Sequence, residues 1–356
     1  MTVVWLDVLT PKQFWFFKHL GEMLTGRGFK ILATARAYDQ VLPLLPKFGT
    51  ADVFVVGEFG GRNLRDKLVR SAERTLKLME VVDDFDCAVS SGSPECSRIA
   101  FGLAKPHILV SDTPHSPVNR LAAPLSSHVL SPRVIGKAPW VRHGVPPSRI
   151  TLYKALDPAA WLKGFKPDET RLRLFGLSKH GYVLVRSPEY QASYLNDVGW
   201  RLDDYVDFLD KLAKVLDGLR LVVLPRYPEE VEYLRRKVGG RALVVEKPVD
   251  DLSLLFFSRI FIGGGGTMTQ EAALLGVPTI SFYPGSMPAV INYLIKQGLV
   301  RHVRELHRVA GVAASILHNI DEVSAECLKK ASRLLDRMEN PADKTADLIG
   351  RVISGG

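Results

Sequence analysis

Cysteine is scarce in this chain: Cys87, Cys96 and Cys327 are the only three in 356 residues, and none shows Cys-x-x-Cys spacing. That argues against both a disulfide framework and a thiolate zinc site. No run of about 18 apolar residues occurs, so no membrane span is expected. The opening Met1-Thr2-Val3-Val4-Trp5-Leu6-Asp7 puts an acid where a secretory leader needs uninterrupted apolar sequence. It reads as a first core strand, and the expected location is cytoplasmic. Long basic runs and nucleic-acid modules are missing despite a formal net charge of +9, so nucleic acid is not an expected partner. The positive balance suits an anionic small molecule or an anionic membrane surface, at the inner face, better.

Two common nucleotide motifs are also missing. The first strand runs into Val8-Leu9-Thr10-Pro11-Lys12-Gln13, a turn with no glycine and therefore no dinucleotide fingerprint. Glycine is concentrated instead in Ile262-Gly263-Gly264-Gly265-Gly266-Thr267-Met268, and no Lys-Ser or Lys-Thr follows, which excludes a P-loop. This run reads as a buried strand, a turn without Cβ atoms, and a helix over Thr267 to Leu275. Free N–H groups and the positive end of the helix dipole then face an anion, and a phosphate fits. Glu271, one turn into the helix, is placed to accept hydrogen bonds from sugar hydroxyls beside that phosphate. The alternative is a tight turn with no ligand.

Apolar runs alternate with amphipathic stretches along the whole chain, the pattern of a parallel sheet covered on both faces. Strands are expected at Val3–Leu6, Lys30–Thr34, Val53–Val56, Cys87–Ser90, His107–Val110 and His128–Leu130. A second series is expected at Tyr182–Val185, Leu219–Leu224, Ala242–Val245, Arg259–Gly263 and Thr279–Phe282. Helices are expected between them, including Pro11–Thr25, Leu64–Val82, Cys96–Leu103, Asp203–Leu216, Glu229–Val238 and Asp250–Phe257. Prolines at 146, 147, 158 and 167 mark the intervening segment as a linker or irregular crossover. The length favours two domains, which we place at 1–164 and 165–335. A helical tail over 336–356 is expected to pack back on the first.

Two doubly wound, Rossmann-like parallel-sheet α/β halves with a late phosphate turn resemble the GT-B architecture, in which such domains face across a cleft. The glycine run resembles the UDP-binding region of UDP-N-acetylglucosamine 2-epimerases and of the lipid-linked N-acetylglucosaminyl transferase of peptidoglycan synthesis. The resemblance implies that Gly264, Gly265, Gly266 and Thr267 hold a diphosphate and that Glu271 holds the ribose. Asn119-Arg120 and Ser127-His128-Val129-Leu130-Ser131-Pro132 are similar to an epimerase stretch. Over nearly its whole length the chain resembles the archaeal domain-of-unknown-function family 354, on Trp5-Leu6-Asp7-Val8-Leu9-Thr10-Pro11-Lys12-Gln13, Thr34-Ala35-Arg36, Val185-Arg186 and Gly265-Gly266-Thr267-Met268. The epimerase acid–base groups do not carry over. Ser90-Ser91-Gly92-Ser93, Pro117-Val118 and Arg186-Ser187-Pro188-Glu189 stand where epimerases have carboxylates and a histidine, and neither serine nor proline abstracts a proton from carbon.

The expected function is therefore a metal-independent GT-B glycosyltransferase with a nucleotide-sugar donor, UDP-linked, and a glycan or lipid-linked acceptor. The alternatives are an epimerase with altered catalytic residues and a noncatalytic nucleotide-sugar-binding protein. Arg186 and Arg226, each just after a strand, can clamp a leaving diphosphate, or can pair with Glu189 and Glu229. Asp112 is the first candidate for the base that deprotonates the acceptor, and His115 is the second; a turn or cap role is the alternative for each. Asp7, Lys12, Gln13, Ser93 and Glu95 are the acceptor-side candidates. Asp84-Phe85-Asp86 precedes its strand rather than ending it, so no metal or other obligatory cofactor is expected. Phe14-Trp15-Phe16-Phe17, between Lys12 and Lys18, is either core or a patch for peripheral membrane contact. The oligomeric state is not legible.

Overall fold

The computed structural model describes residues 1–38, 40–49, 51–61, 63–188, 202–246 and 252–355. The chain divides into two compact units, Met1–Trp161 with Met338–Gly356, and Leu162–Arg337. Each contains one wholly parallel sheet.

The first unit has seven strands: β1 (Val3–Val8), β2 (Lys30–Ala37), β3 (Val53–Glu58), β4 (Cys87–Ser90), β5 (His107–Val110), β6 (His128–Pro132) and β7 (Ile150–Tyr153). Their order across the sheet is β3-β2-β1-β4-β5-β6-β7. The second has β8 (Tyr182–Arg186), β9 (Arg220–Leu224), β10 (Ala242–Val244), β11 (Ile260–Gly263), β12 (Thr279–Ser281) and β13 (Val300–His302), ordered β10-β9-β8-β11-β12-β13. Parallel strands need helical crossovers, which cover both faces, so central strands are buried throughout and read as unbroken apolar runs. Val4, Trp5 and Leu6 of β1 and Val183, Leu184 and Val185 of β8 have no exposed surface.

The first helix, Pro11–Gly26, starts where the sequence predicts: Thr10 accepts from the Gln13 N–H, and Pro11 occupies the first turn. Phe14, Phe16, Phe17, Leu20 and Leu24 are buried along it. Phe14, Phe16 and Phe17 are therefore core, with Phe14 edge-on to Phe48, while Trp15 is half-buried. The last helix, Pro341–Ile353, packs on it within the same unit. Arg27 closes that contact with Asp343 and Asp347 at 3.0 and 2.8 Å, exposed pairs that add little stability.

Two strands escape the sequence reading. The segment taken for a linker contains β7, the far edge strand of the first sheet, and β13 is a three-residue strand at the edge of the second. Edge strands this short leave no periodic signature. The expected helix Asp250–Phe257 begins outside the described residues and is seen over Leu252–Phe256. Asp84-Phe85-Asp86 is structural: Phe85 is buried, and Asp86 accepts the Val3 N–H at 2.7 Å.

His107, at the start of β5, lies in the core between two hydroxyls, Ser90 Oγ on Nε2 and Ser126 Oγ on Nδ1, both at 2.9 Å. Burial pushes its pKa from 6.5 down to about 3. Between those values the unfolded chain binds a proton that the folded chain refuses. Stability therefore falls as pH falls through that window, by up to about 1.4 kcal/mol per pH unit. Urea unfolding at pH 7 and pH 5 should show this slope, and His107→Gln should flatten it. An unchanged slope in the variant would mean that His107 does not control the acid limb.

Candidate functional site

In each sheet the strand order reverses between two central neighbours, β1 and β4 in the first and β8 and β11 in the second. Helices leave to opposite faces at such a point and open a crevice at the carboxyl ends of the strands. Both groups of expected site residues fall there.

In the second unit, β8 and β11 pair with Val185 opposite Ile262, so Arg186 ends its strand level with Gly263. The glycine turn follows and leads into helix Thr267–Leu274. Gly265 and Gly266 take φ of +89° and +90°, a backbone that other residues adopt only with strain. A Cβ on Gly264 would lie 3.4 Å from Pro188 Cα, which places the turn against the loop after β8. Arg186 donates from Nη1 to the Pro225 carbonyl at 2.8 Å, joining the ends of β8 and β9. Arg226 comes next in that loop, and its N–H donates to Glu230 Oε2 at 2.7 Å. Arg186, Arg226 and the glycines thus share one edge of one sheet. Glu271 is buried on the helix, 6% exposed, and like both arginines it already has an interaction partner. Gly285, in the loop after β12, packs against the Tyr283 ring. Glu189, offered above as a partner for Arg186, lies outside the described residues.

In the first unit, a cavity of about 420 Å³ sits at the corresponding edge, lined by residues from the ends of β1 to β5. Of the acceptor-side candidates, Lys12, Gln13 and Glu95 line it and Asp7 and Ser93 do not; of the two candidates for the base, Asp112 lines it and His115 does not. Asp7 is completely buried and held by Arg74, whose Nη1 and Nη2 meet its two oxygens at 3.0 and 2.5 Å. Thr34 Oγ1 donates to the same carboxylate at 2.7 Å and accepts from Trp5 Nε1 at 2.9 Å. Burial alone would raise the Asp7 pKa, but Arg74 overrides it and holds the carboxyl below its ordinary value. Ser93 caps helix Pro94–Gly102 by accepting the Cys96 N–H. Asp7 and Ser93 are therefore supports of the wall rather than parts of its surface. His115 is an exposed loop residue.

Gln13 bridges the turns after β1 and β4: its Oε1 accepts the Leu9 N–H at 2.7 Å and its Nε2 donates to the Ser91 carbonyl at 2.9 Å. Glu95 accepts from Ser71 Oγ at 2.6 Å and Ser93 Oγ at 3.2 Å. Lys12 stands between two carboxylates, Asp112 at 2.5 Å and Asp157 at 2.7 Å. Burial would lower its pKa, but the two acids reverse that and hold the ammonium above its ordinary value. Sequence reasoning missed Asp157, which lies in the segment read as a linker and is 2% exposed. It also missed Arg74, although the helical register of Leu64–Val82 puts Arg74 on the face of buried Leu78.

A family model described as "Protein of unknown function (DUF354)" matches residues 2–339. The chain belongs to that family. An uncharacterized protein of Methanocaldococcus jannaschii is 30% identical over 313 residues, 86% of this chain and 89% of the relative. Among solved structures, the UDP-GlcNAc 2-epimerase of Neisseria meningitidis bound to UDP-GlcNAc is similar with TM-score 0.75 at 16% identity over 100% of both chains. The UDP-GlcNAc 2-epimerase of Methanocaldococcus jannaschii in complex with UDP-GlcNAc and UDP gives 0.70 at 14%, again over 100% of both. The glycotransferase of kitacinnamycin gives 0.60 at 15% over 98% of both. At these identities the likeness establishes the fold, a GT-B-like pair of parallel-sheet α/β domains.

Removing one partner of a buried ion pair strands the other charge, and a loss of about 3–5 kcal/mol is expected. Arg74→Leu should lose about that much in urea unfolding, and adding Asp7→Asn should recover part of it. A loss below about 1 kcal/mol would show that the pair is not what fixes this wall.

Proposed function

We propose that the chain is a glycosyltransferase that takes a sugar from a UDP-linked donor and passes it, without an obligatory metal, to a hydroxyl on a glycan or lipid-linked acceptor. The observation that carries this reading is the register of β8 and β11, which brings a bare-backbone turn, a helix N-terminus and Arg186 to one sheet edge. Backbone N–H groups and a guanidinium are the donors that a departing diphosphate needs. Gly264, Gly265, Gly266 and Thr267 would cradle the phosphates, with Arg186 and Arg226 beside them. Glu271 would exchange its present partner for the ribose hydroxyls.

In the first unit Asp112 would take the acceptor proton. Its pairing with Lys12 does not disqualify it, because Asp157 remains as counter-charge to Lys12 when Asp112 becomes neutral. The epimerase-like reading draws on the TM-scores, 0.63–0.75 for epimerase structures against 0.60 for the glycotransferase. Turnover of UDP-N-acetylglucosamine without any acceptor would favour it. We also expect the protein to work in the cytoplasm. Among the described residues no helix is long and apolar enough to cross a membrane. Exposed apolar side chains gather on helix Leu64–Val81 (Leu64, Leu68, Leu76, Met79), and peripheral contact with a membrane would use that face.

Glu271→Ala should weaken UDP binding by about 1–3 kcal/mol in calorimetry, the loss of charge-assisted hydrogen bonds. Unaltered affinity would remove Glu271 from the donor site. Asp112→Asn should keep UDP affinity and abolish transfer to acceptor. A fully active variant would eliminate Asp112 as the base.

A further inference from the structure

The cavity of the first unit carries charge that the donor reading leaves unused. Lys67, Arg70, Ser71 and Arg74 all line it, spaced i, i+3, i+4 and i+7 on helix Leu64–Val81 and so on one face of it. Arg36, from the end of β2, lines it as well. Most basic groups there are already matched. Arg74 has Asp7 and Glu95, Arg70 has Glu58 and Glu73, and Lys12 has Asp112 and Asp157.

Arg36 and Lys67 differ. Among the described residues neither has a carboxylate within ion-pair distance. The Arg36 guanidinium lies 5.1 Å over the Phe59 ring, and its Nε is buried with no hydrogen-bond partner among those residues. Burial and the neighbouring Arg74 lower its pKa, against the more distant attraction of Glu95 and Asp7, so two guanidinium groups sit close together. A half-buried guanidinium whose Nε has no acceptor is completed when an anion enters. A phosphate monoester suits the deficit better than a carboxylate. It brings close to two negative charges and three acceptor oxygens, enough for a fork-shaped guanidinium and an ammonium together. A volume of about 420 Å³ is in the range that holds a whole small molecule, so the phosphate would occupy one end and leave room for what it is esterified to.

We propose that this cavity binds a phosphate monoester, its phosphate on Arg36 and Lys67 and its esterified group toward Lys12 and Asp112. The proposal rests on the glycosyl-transfer reading only in taking that molecule to be the acceptor. The phosphate can come from a soluble sugar phosphate or from the head of a lipid phosphate.

Calorimetry on the full chain tests this with glucose 1-phosphate, geranyl monophosphate, inorganic phosphate and N-acetylglucosamine. One or both monoesters should bind more tightly than inorganic phosphate, and the neutral sugar should not bind. Preference for the sugar ester or the prenyl ester identifies the source. Arg36→Ala and Lys67→Ala should each weaken the monoester by about 10-fold or more, since each loses a charge-assisted contact. Lys67→Ala serves if Arg36→Ala fails to fold. UDP affinity should stay unchanged in both variants and respond only to Glu271→Ala. No monoester binding, binding equal in wild type and variants, inorganic phosphate bound as tightly as its esters, or displacement of the monoester by UDP would each overturn the proposal. Failure of UDP to bind would sink the donor assignment instead and leave the monoester result to be judged by itself.

Discussion

Asp7 lies near the end of a central strand with no access to water, and a carboxylate so placed must find a counter-charge or give up its own. Arg74 supplies that charge from 67 positions further along the chain. Delivering it constrains everything nearby. The guanidinium also donates from Nε to the Val56 carbonyl at 2.9 Å, which ties β3 to the helix that carries Arg74. A Cβ on Gly57 would meet the Arg74 side chain at 2.7 Å, so the strand must carry glycine where the arginine stem passes. Once Arg74 is fixed, the rotation of its helix is fixed too, and Lys67, Arg70 and Ser71 turn to the cavity with it.

The two sheets solve the same geometric problem with different chemistry. Parallel strands gather all their strand-to-helix turns at one edge, and the reversal of strand order opens that edge. At the β8–β11 reversal the chain offers chiefly glycine backbone and a helix start, with Arg186 beside them. At the β1–β4 reversal it offers ionised groups: an ammonium shared by two acids, a locked ion pair and an arginine with an unanswered Nε. A bare turn admits the closest approach of a diphosphate and is indifferent to what the diphosphate carries. A wall of charged side chains discriminates between ligands.

That difference explains what was legible. The glycine turn, the central strands and helices such as Leu64–Val82 declare themselves locally, through composition or period. Arg186 was legible as well, because it directly follows an apolar run. The charged wall was not. Asp7–Arg74 and Lys12–Asp157 join residues with no periodic relation, and only the sheet order brings them together. Asp157 lay hidden among prolines that suggested a linker, since β7 is too short to announce an element. The aromatic run of the first helix was ambiguous because burial depends on what the helix packs against, here including the last helix of the chain.

The same pairing bears on which reaction the first unit can support. Moving a proton on and off a sugar carbon takes two acid–base groups at close range. The turn after β4 presents serines, and Ser90 Oγ meets His107 while Ser93 caps a helix. Glu95 is tied to Ser71, Ser93 and Arg74. Asp112 and Glu95 each share a cation with a second carboxylate, Lys12 with Asp157 and Arg74 with Asp7, but Glu95 also holds the Ser71 and Ser93 hydroxyls. Activating a hydroxyl requires one acid–base group where proton exchange at carbon requires two. The transfer reading proposed above therefore asks less of this wall than epimerisation would.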